Sequence, residues 1–441
     1  MTCLHIRTFR GPLRSAFTLA LVLTVTRVAS GQMPSQTPDQ SREKVITIQK
    51  GAIQIIPLVV EDFTAGPGAT AADVQAVYRV LVQDLQFSDY FAVTQVPLLA
   101  TDDPLASGAK VLVRGTVEVA QGQIVLRGSL EELPGKSRIL SRDYATRPDW
   151  YREAAHRFAD DIVLFLTGKK GIARTRIAFV SNRTGNKEIY VVDYDGFGMR
   201  AVTHNRSINL SPSWSPDARQ IVFTSLKKGD PDVYLIDLAT GQERLVAGGP
   251  GVQGGASFSP DGKWILFSHT QGRESEIFMV PTSGGTARRV TREDGINTSP
   301  CWAPDGRRLV FTSDRSGTPQ LYVTDVDGGI SRRLTFGGTW NDLASWSPTG
   351  EMVAYSARQD GGFRLAMVDP SGLGDERIVT QGPGSEEHPS WAPNGQHVTY
   401  SSNGPTQSGI YVLHVDSGQK RTVIEGPGVY QLAAWSPIPP R

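Results

Sequence analysis

The chain is predicted to fold as a mixed α/β domain followed by a six-bladed β-propeller, on the strength of three features. An aromatic residue closes a short β-type run at Phe179, Phe223, Phe267, Phe311, Tyr355 and Tyr400, with gaps of 44, 44, 44, 44 and 45 residues. A second ladder, Trp214, Phe258, Trp302, Trp346, Trp391 and Trp435, has gaps of 44, 44, 44, 45 and 44. Ahead of both, two helical periodicities alternate with strand-like runs. Periods of about 40 to 50 residues holding several strands each are propeller blades.

Length and charge fit this plan. At 441 residues the chain exceeds one ordinary core, and Gly and Pro are raised as turn-rich β-structure demands. Residues 1–31 hold four arginines, Arg7, Arg10, Arg14 and Arg27, and no acid; without them 41 basic and 44 acidic residues remain, a net of −3. A near-neutral body without a basic stripe argues against nucleic acid as a partner.

Arg7, Arg10 and Arg14 precede a mostly apolar run over 16–25, and Ala29, Ser30 and Gly31 follow it. This is the layout of a secretory signal peptide over 1–31, with Arg27 as a departure near the cleavage site. The apolar run is short for a bilayer span, so no direct membrane span is expected. Cys3 would leave with the signal, and Cys301, alone in a repeat strand, is read as a small packed residue without a disulfide.

Residues 32–44 (QMPSQTPDQSREK) lack apolar periodicity and read as a flexible mature N-terminus. The α/β domain spans 45–168. Strands are expected over 45–48 and 53–60, then a helix over 71–85 with Val74, Val77, Tyr78, Leu81, Val82 and Leu85 at helical spacing. Runs over 110–119 and 123–131 flank Gln121-Gly122 as a hairpin, with a further strand over 137–144. A second helix over 150–166 places Ala155, Phe158, Ile162 and Phe165/Leu166 on one face, with Gly168 as its C-cap. A short link, 169–175, leads to the propeller over 176–441.

Each repeat contains a strand ending at the tryptophan, a Ser-Pro-Asp-type turn, a strand through the ladder aromatic, and two outer strands. Pro260, Asp261 and Gly262 supply the fixed φ, the side-chain bond and the permissive φ of a tight turn. Period-two alternation places Phe223 and its equivalents between blades. The strand over 176–181 has no Trp-Ser-Pro strand before it, and the run over 432–437 has nothing after it. Pairing 433–436 with 176–181 would complete six blades and remove the exposed edges.

These motifs resemble the TolB family, periplasmic propellers of the Tol–Pal envelope system, from about Val45 to the C-terminus. The resemblance rests on the repeated P-x-W-S-P-D-G-x-x-I-x-F-x-S, the junction AHRFADDIVLFLTGKKGIARTRIAFVS (155–181), QFSDYFAVT (86–94) and the terminal AAWSP. The long 32–44 stretch and an outermost strand that varies between blades depart from the family pattern. The resemblance implies a non-enzymatic protein without cofactor, monomeric on its own. It also implies two partners: the lipoprotein Pal on the propeller face, and TolA at the mature N-terminus, here Val45, Ile46 and Ile48. The role implied is outer-membrane integrity and constriction at division.

The loops leading into each innermost strand are the natural binding rim, because they converge around the channel. The candidates there are Asn209, Gln253, Asn297, Thr298, Trp340, Asn341, Glu387, His388 and Tyr430. Asn297-Thr298 before Ser299-Pro300 matches the family's pattern at a loop facing Pal. Each polar candidate has a competing reading as a turn residue satisfying local backbone groups. The ladder tryptophans, in fixed register, read as blade core rather than carbohydrate platforms.

Three other functions find little support in the residues. Asp193-Tyr-Asp195-Gly196 and Asp325-Val-Asp327-Gly328 resemble the start of a calcium loop but lack its twelfth-position Glu, so turns are expected and no metal. A serine peptidase would need a G-x-S-x-G elbow, which the sequence lacks, and the seven histidines show no zinc spacing. His156, beside an apolar helix face, reads as structural. A propeller binding a sugar or peptide in its channel stays as the alternative.

Overall fold

The computed structural model describes residues 55–97, 108–359, 361–382, 384–404 and 407–440. The expected signal peptide, the 32–44 stretch and Val45, Ile46 and Ile48 lie outside them. Residues 49–441 form one compact unit.

The α/β domain is a sheet in the order β3-β1-β4-β5-β6, with β1 Ile56–Glu61, β3 Phe91–Val96, β4 Val111–Ala120, β5 Gln123–Glu132 and β6 Ser137–Thr146. The two-residue β2, Thr64–Ala65, pairs with β4. β1 is parallel to both of its neighbours. Gln121 and Gly122 have φ of 52° and 71°, the double left-handed step of a tight hairpin turn.

Helix α1, Ala71–Phe87, starts where Thr70 accepts from the Asp73 amide and Asp73 accepts in return from the Thr70 amide. Helix α2, Tyr151–Thr167, follows a single 3-10 turn at Pro148–Trp150 and ends on Gly168 at φ 69°. Ala155, Phe158, Ile162 and Leu166 are buried as expected, but Phe165 is 49% exposed. Three positions beyond Ile162, it falls on the solvent edge of the stripe. Both helices pack on one sheet face, and Gly128 makes room for α2: a Cβ there would lie 2.5 Å from the Phe158 ring.

The propeller has six sheets of four strands. Blade one holds Asn209–Trp214, Gln220–Lys228, Asp230–Asp237 and Glu243–Ala247. Blades two to five begin with Val252–Phe258, Asn297–Trp302, Asn341–Trp346 and Ser385–Trp391. These first strands lie beside one another and form the wall of the axis. The closing blade joins the two ends of the repeat region: Tyr430–Trp435 pairs antiparallel with Arg176–Ser181, matching Tyr430 to Ser181 and Trp435 to Ile177.

The ladder aromatics Phe179, Phe223, Phe267, Phe311, Tyr355 and Tyr400 are all buried, and five meet an aromatic on the third strand, as Phe179 meets Tyr190 at 5.8 Å. Tyr355 faces Ala366 and instead donates to Glu376 at 2.7 Å. The tryptophans tie blades together. The Trp214, Trp302 and Trp391 indoles donate to the carbonyls of Ala434, Ser257 and Ser345 on the preceding blades. Trp435 donates to the Thr175 hydroxyl at 2.8 Å, so the short link is itself built into the closure.

The α/β domain seats against blade five and the closing blade. Arg421 donates to the carbonyls of Phe87 and Gln86 and pairs with Asp89. Tyr90 bonds Gln396, Arg152 pairs with Asp195, and Tyr194 and His156 both bond Asp84. His156 is 4% exposed and structural in this setting. Gln396, Tyr194 and Asp195 sit on the turns that follow first and third strands, so the domain covers part of that face. The face where the first strands begin carries no such contact among the described residues.

Candidate partner-binding face

Each first strand has the same internal design. Its third residue, or its fourth in blades two and five, has positive φ: Ser211 50°, Gly255 61°, Ser299 51°, Leu343 57°, His388 58° and Leu432 57°. The ladder to the second strand shifts register at that point in every blade. A left-handed leucine is sterically costly, so a six-fold repeat of the kink is a feature held by the surrounding ring. The kink leaves the residues before it at the channel mouth.

Four polar residues at the starts of these strands, expected on the rim, are instead buried between blades. Asn209 (0% exposed) donates to Glu188 at 2.8 Å, where Thr203 also donates at 2.5 Å. Asn297 (0%) donates to Glu276 at 3.2 Å, which Thr291 also bonds. Asn341 (1%) donates to Gln320 at 2.9 Å, with Thr335 on the same oxygen at 2.8 Å. In all three, the threonine hydroxyl accepts from the amide next to the acceptor residue, at Ile189, Ile277 and Leu321. Gln253, with its amide oriented to donate, reaches Pro231 O at 2.9 Å and Asp232 Oδ1 at 3.1 Å. The structure thus places these side chains in blade-to-blade clamps, a use their loop position did not reveal. Tyr430, 2% exposed, packs on Phe179 at 6.0 Å.

Four candidates offer side-chain surface. Trp340 is 39% exposed and Thr298, Glu387 and His388 are partly so. His388 donates its backbone amide to Ser356 at 3.1 Å, with its Nδ1 3.3 Å from the Ser401 hydroxyl. Burial pushes its imidazole down to about 4, so it is neutral at physiological pH. Burial, then the Asp342 carboxylate on the next blade, raises Glu387. Thr312 donates to Asp342 at 2.6 Å. Cys301 is partly exposed, and desolvation pushes its thiol up, away from the reactive thiolate.

The calcium-like sequences are turns: Gly196 N donates to Asp193 O at 2.9 Å and Gly328 N to Asp325 O at 3.0 Å. One trio, Asp89, His397 and His414 at the domain seam, brings possible ligand atoms within 4.8 Å. His414 Nδ1 accepts from the Ser417 amide at 3.1 Å, and His397 Nδ1 faces the Asn394 amide nitrogen at 3.0 Å. Each neutral ring then carries its proton on Nε2, and Arg421 already pairs with Asp89, so the trio suits a seam better than a metal.

This architecture matches known proteins. The chain is 31% identical over 184 residues to a Protein TolB homolog of Chlorobium chlorochromatii, covering 39% of this chain and 42% of that protein. It is 39% identical over 115 residues to a Tol-Pal system protein TolB of Geobacter metallireducens, covering 26% of this chain and 27% of the relative. The matched segment therefore spans less than half the length of either relative. The crystal structure of TolB from Acinetobacter baumannii superposes with a TM-score of 0.75 at 28% identity, covering 87% of this chain and 97% of that one. A sequence profile of the TolB beta propeller domain matches residues 164–439, and the chain belongs to that family.

Proposed function

We propose that the chain is a non-enzymatic periplasmic scaffold of the Tol–Pal system. It binds Pal at the propeller face where the first strands begin, and TolA through the segment around Val45, Ile46 and Ile48. The role is outer-membrane integrity and constriction at cell division. The TolB relatives named for that system support it. The observation that carries the choice of face is its openness among the described residues: the α/β domain occupies turns of the opposite face, while Thr298, Trp340, Glu387 and His388 stand at a mouth that none of the described residues of that domain covers. The clamps beneath hold the loops rigid, which lowers the ordering cost of binding.

The test is a pull-down from envelope extract with the mature protein, with and without residues 32–50. Pal is expected with both forms and TolA with the longer form alone. Recovery of neither would sink the proposal.

A further inference from the structure

The residue three positions before each kink forms a ring around the mouth: Ile208, Val252, Ile296, Trp340, Ser385 and Val429. Five are apolar. Ile208, Val252, Ile296 and Trp340 are 43%, 47%, 46% and 39% exposed, an unusual solvent exposure for large apolar groups repeated on four consecutive blades. Their backbones are fixed. Ile208 O accepts from Leu226 N at 3.0 Å, Trp340 O accepts from Arg358 N at 2.8 Å, and Ile296 N donates to Asp314 at 2.7 Å. Large apolar groups exposed at the same position on four consecutive blades mark an interaction surface, and the aromatic among them suits an anchor position.

One step further in, the ring carries Asp342 and Glu387 on neighbouring blades. Neither makes an ion pair among the described residues, and the two hold the equivalent position, just before the kink, on first strands that lie side by side. At the same depth, blades two and three present uncharged Gly254 and Thr298. The mouth is therefore apolar at its lip and negative on one inner side. Two half-buried carboxylates without a counter-charge favour a cation brought from outside.

We infer that the docking segment of Pal packs aliphatic or aromatic residues on this collar and directs one lysine or arginine between Asp342 and Glu387. The inference rests on the Pal reading above and specifies the chemistry of the segment that fits. A purely polar partner would leave the collar wet, and an uncharged one would leave both acids without a counter-charge.

The experiment is a calorimetric titration of the mature protein with the soluble domain of Pal at low and moderate salt. Ile296→Ser with Trp340→Ser removes half the exposed collar; Asp342→Asn with Glu387→Gln removes the charge. Ile330→Ser with Leu373→Ser, at fully exposed positions on turns between third and fourth strands, is the control. Melting curves confirm that each variant is folded. The collar variant is expected to bind at least about tenfold more weakly. The carboxamide variant is expected to bind more weakly and to lose salt dependence, and the control to match the parent. If the parent does not bind Pal, the functional proposal falls and this inference with it. If the parent binds and both mouth variants bind equally well, the inference alone is overturned. Weaker binding by the collar variant only would keep the apolar contact and overturn the basic side chain.

Discussion

The Tyr194 hydroxyl donates to Oδ1 of Asp84 at 2.6 Å, joining a turn of the closing blade to helix α1 across 110 residues of sequence. Asp84 is fully enclosed and also bonds His156 at 2.7 Å, so one carboxylate ties both helices to the propeller. A buried acceptor that loses a donor keeps its desolvation penalty, so Tyr194→Phe should cost about 1–3 kcal/mol. Thermal unfolding of the variant checks this; a melting curve superimposed on the parent's would contradict it.

The same seam makes stability depend on pH. Burial holds His397 and His414 below their usual value, with Arg421 adding to the effect. The unfolded rings take up protons near about pH 6.5, whereas the folded ones do so only at lower pH. Across that interval the unfolded chain binds more protons, so stability is full above about 6.5 and falls on acidification. His388, pushed down to about 4, acts in the same sense. His156, which Asp84 raises despite burial, and Asp160, which burial raises to about 6, oppose it. In urea unfolding between about pH 5 and about pH 8, His414→Gln should therefore lose less stability on acidification than the parent. Equal losses in the two would count against this assignment.

Closure of the ring predicts an asymmetry between two tryptophans. Trp435 is 5% exposed and bonds Thr175, whereas Trp150 is 53% exposed. Trp435→Ala should cost about 3–5 kcal/mol and Trp150→Ala no more than about 0.5. Denaturant midpoints at constant slope measure both; equal effects would mean that the closing strand contributes little.

Clamp and contact residues should separate cleanly. Asn297→Ala leaves Glu276 with fewer donors inside the ring and is expected to lose about 1–3 kcal/mol of stability. Trp340→Ala, on the lip, should leave the melting temperature near the parent's while weakening Pal binding. Loss of stability in Trp340→Ala with unchanged binding would reverse the two roles.

The blade count, the closing strand, the hairpin turn and both helices were legible because each leaves a local or strictly periodic trace. Parallel β3 was not, since its partner β1 lies 30 or more residues away and nothing local marks the pairing. The clamps were missed for a related reason. A polar residue opening a strand looks like a rim group until its partner is known, and Glu188 precedes Asn209 by 21 residues. Yet the trace was present: Glu188–Thr203, Glu276–Thr291 and Gln320–Thr335 share a separation of 15, and each acceptor precedes its asparagine by 21. Of the exposed collar only Trp340 was legible, because aliphatic residues beside a strand start read as part of the strand.

Hydrogen exchange with and without the soluble Pal domain tests most directly which face takes the partner. Slowed exchange in residues 205–211, 249–255, 293–299 and 337–343, with unchanged exchange in the turns after the tryptophans, is the predicted result. Protection confined to those turns, or to the α/β domain, would contradict it.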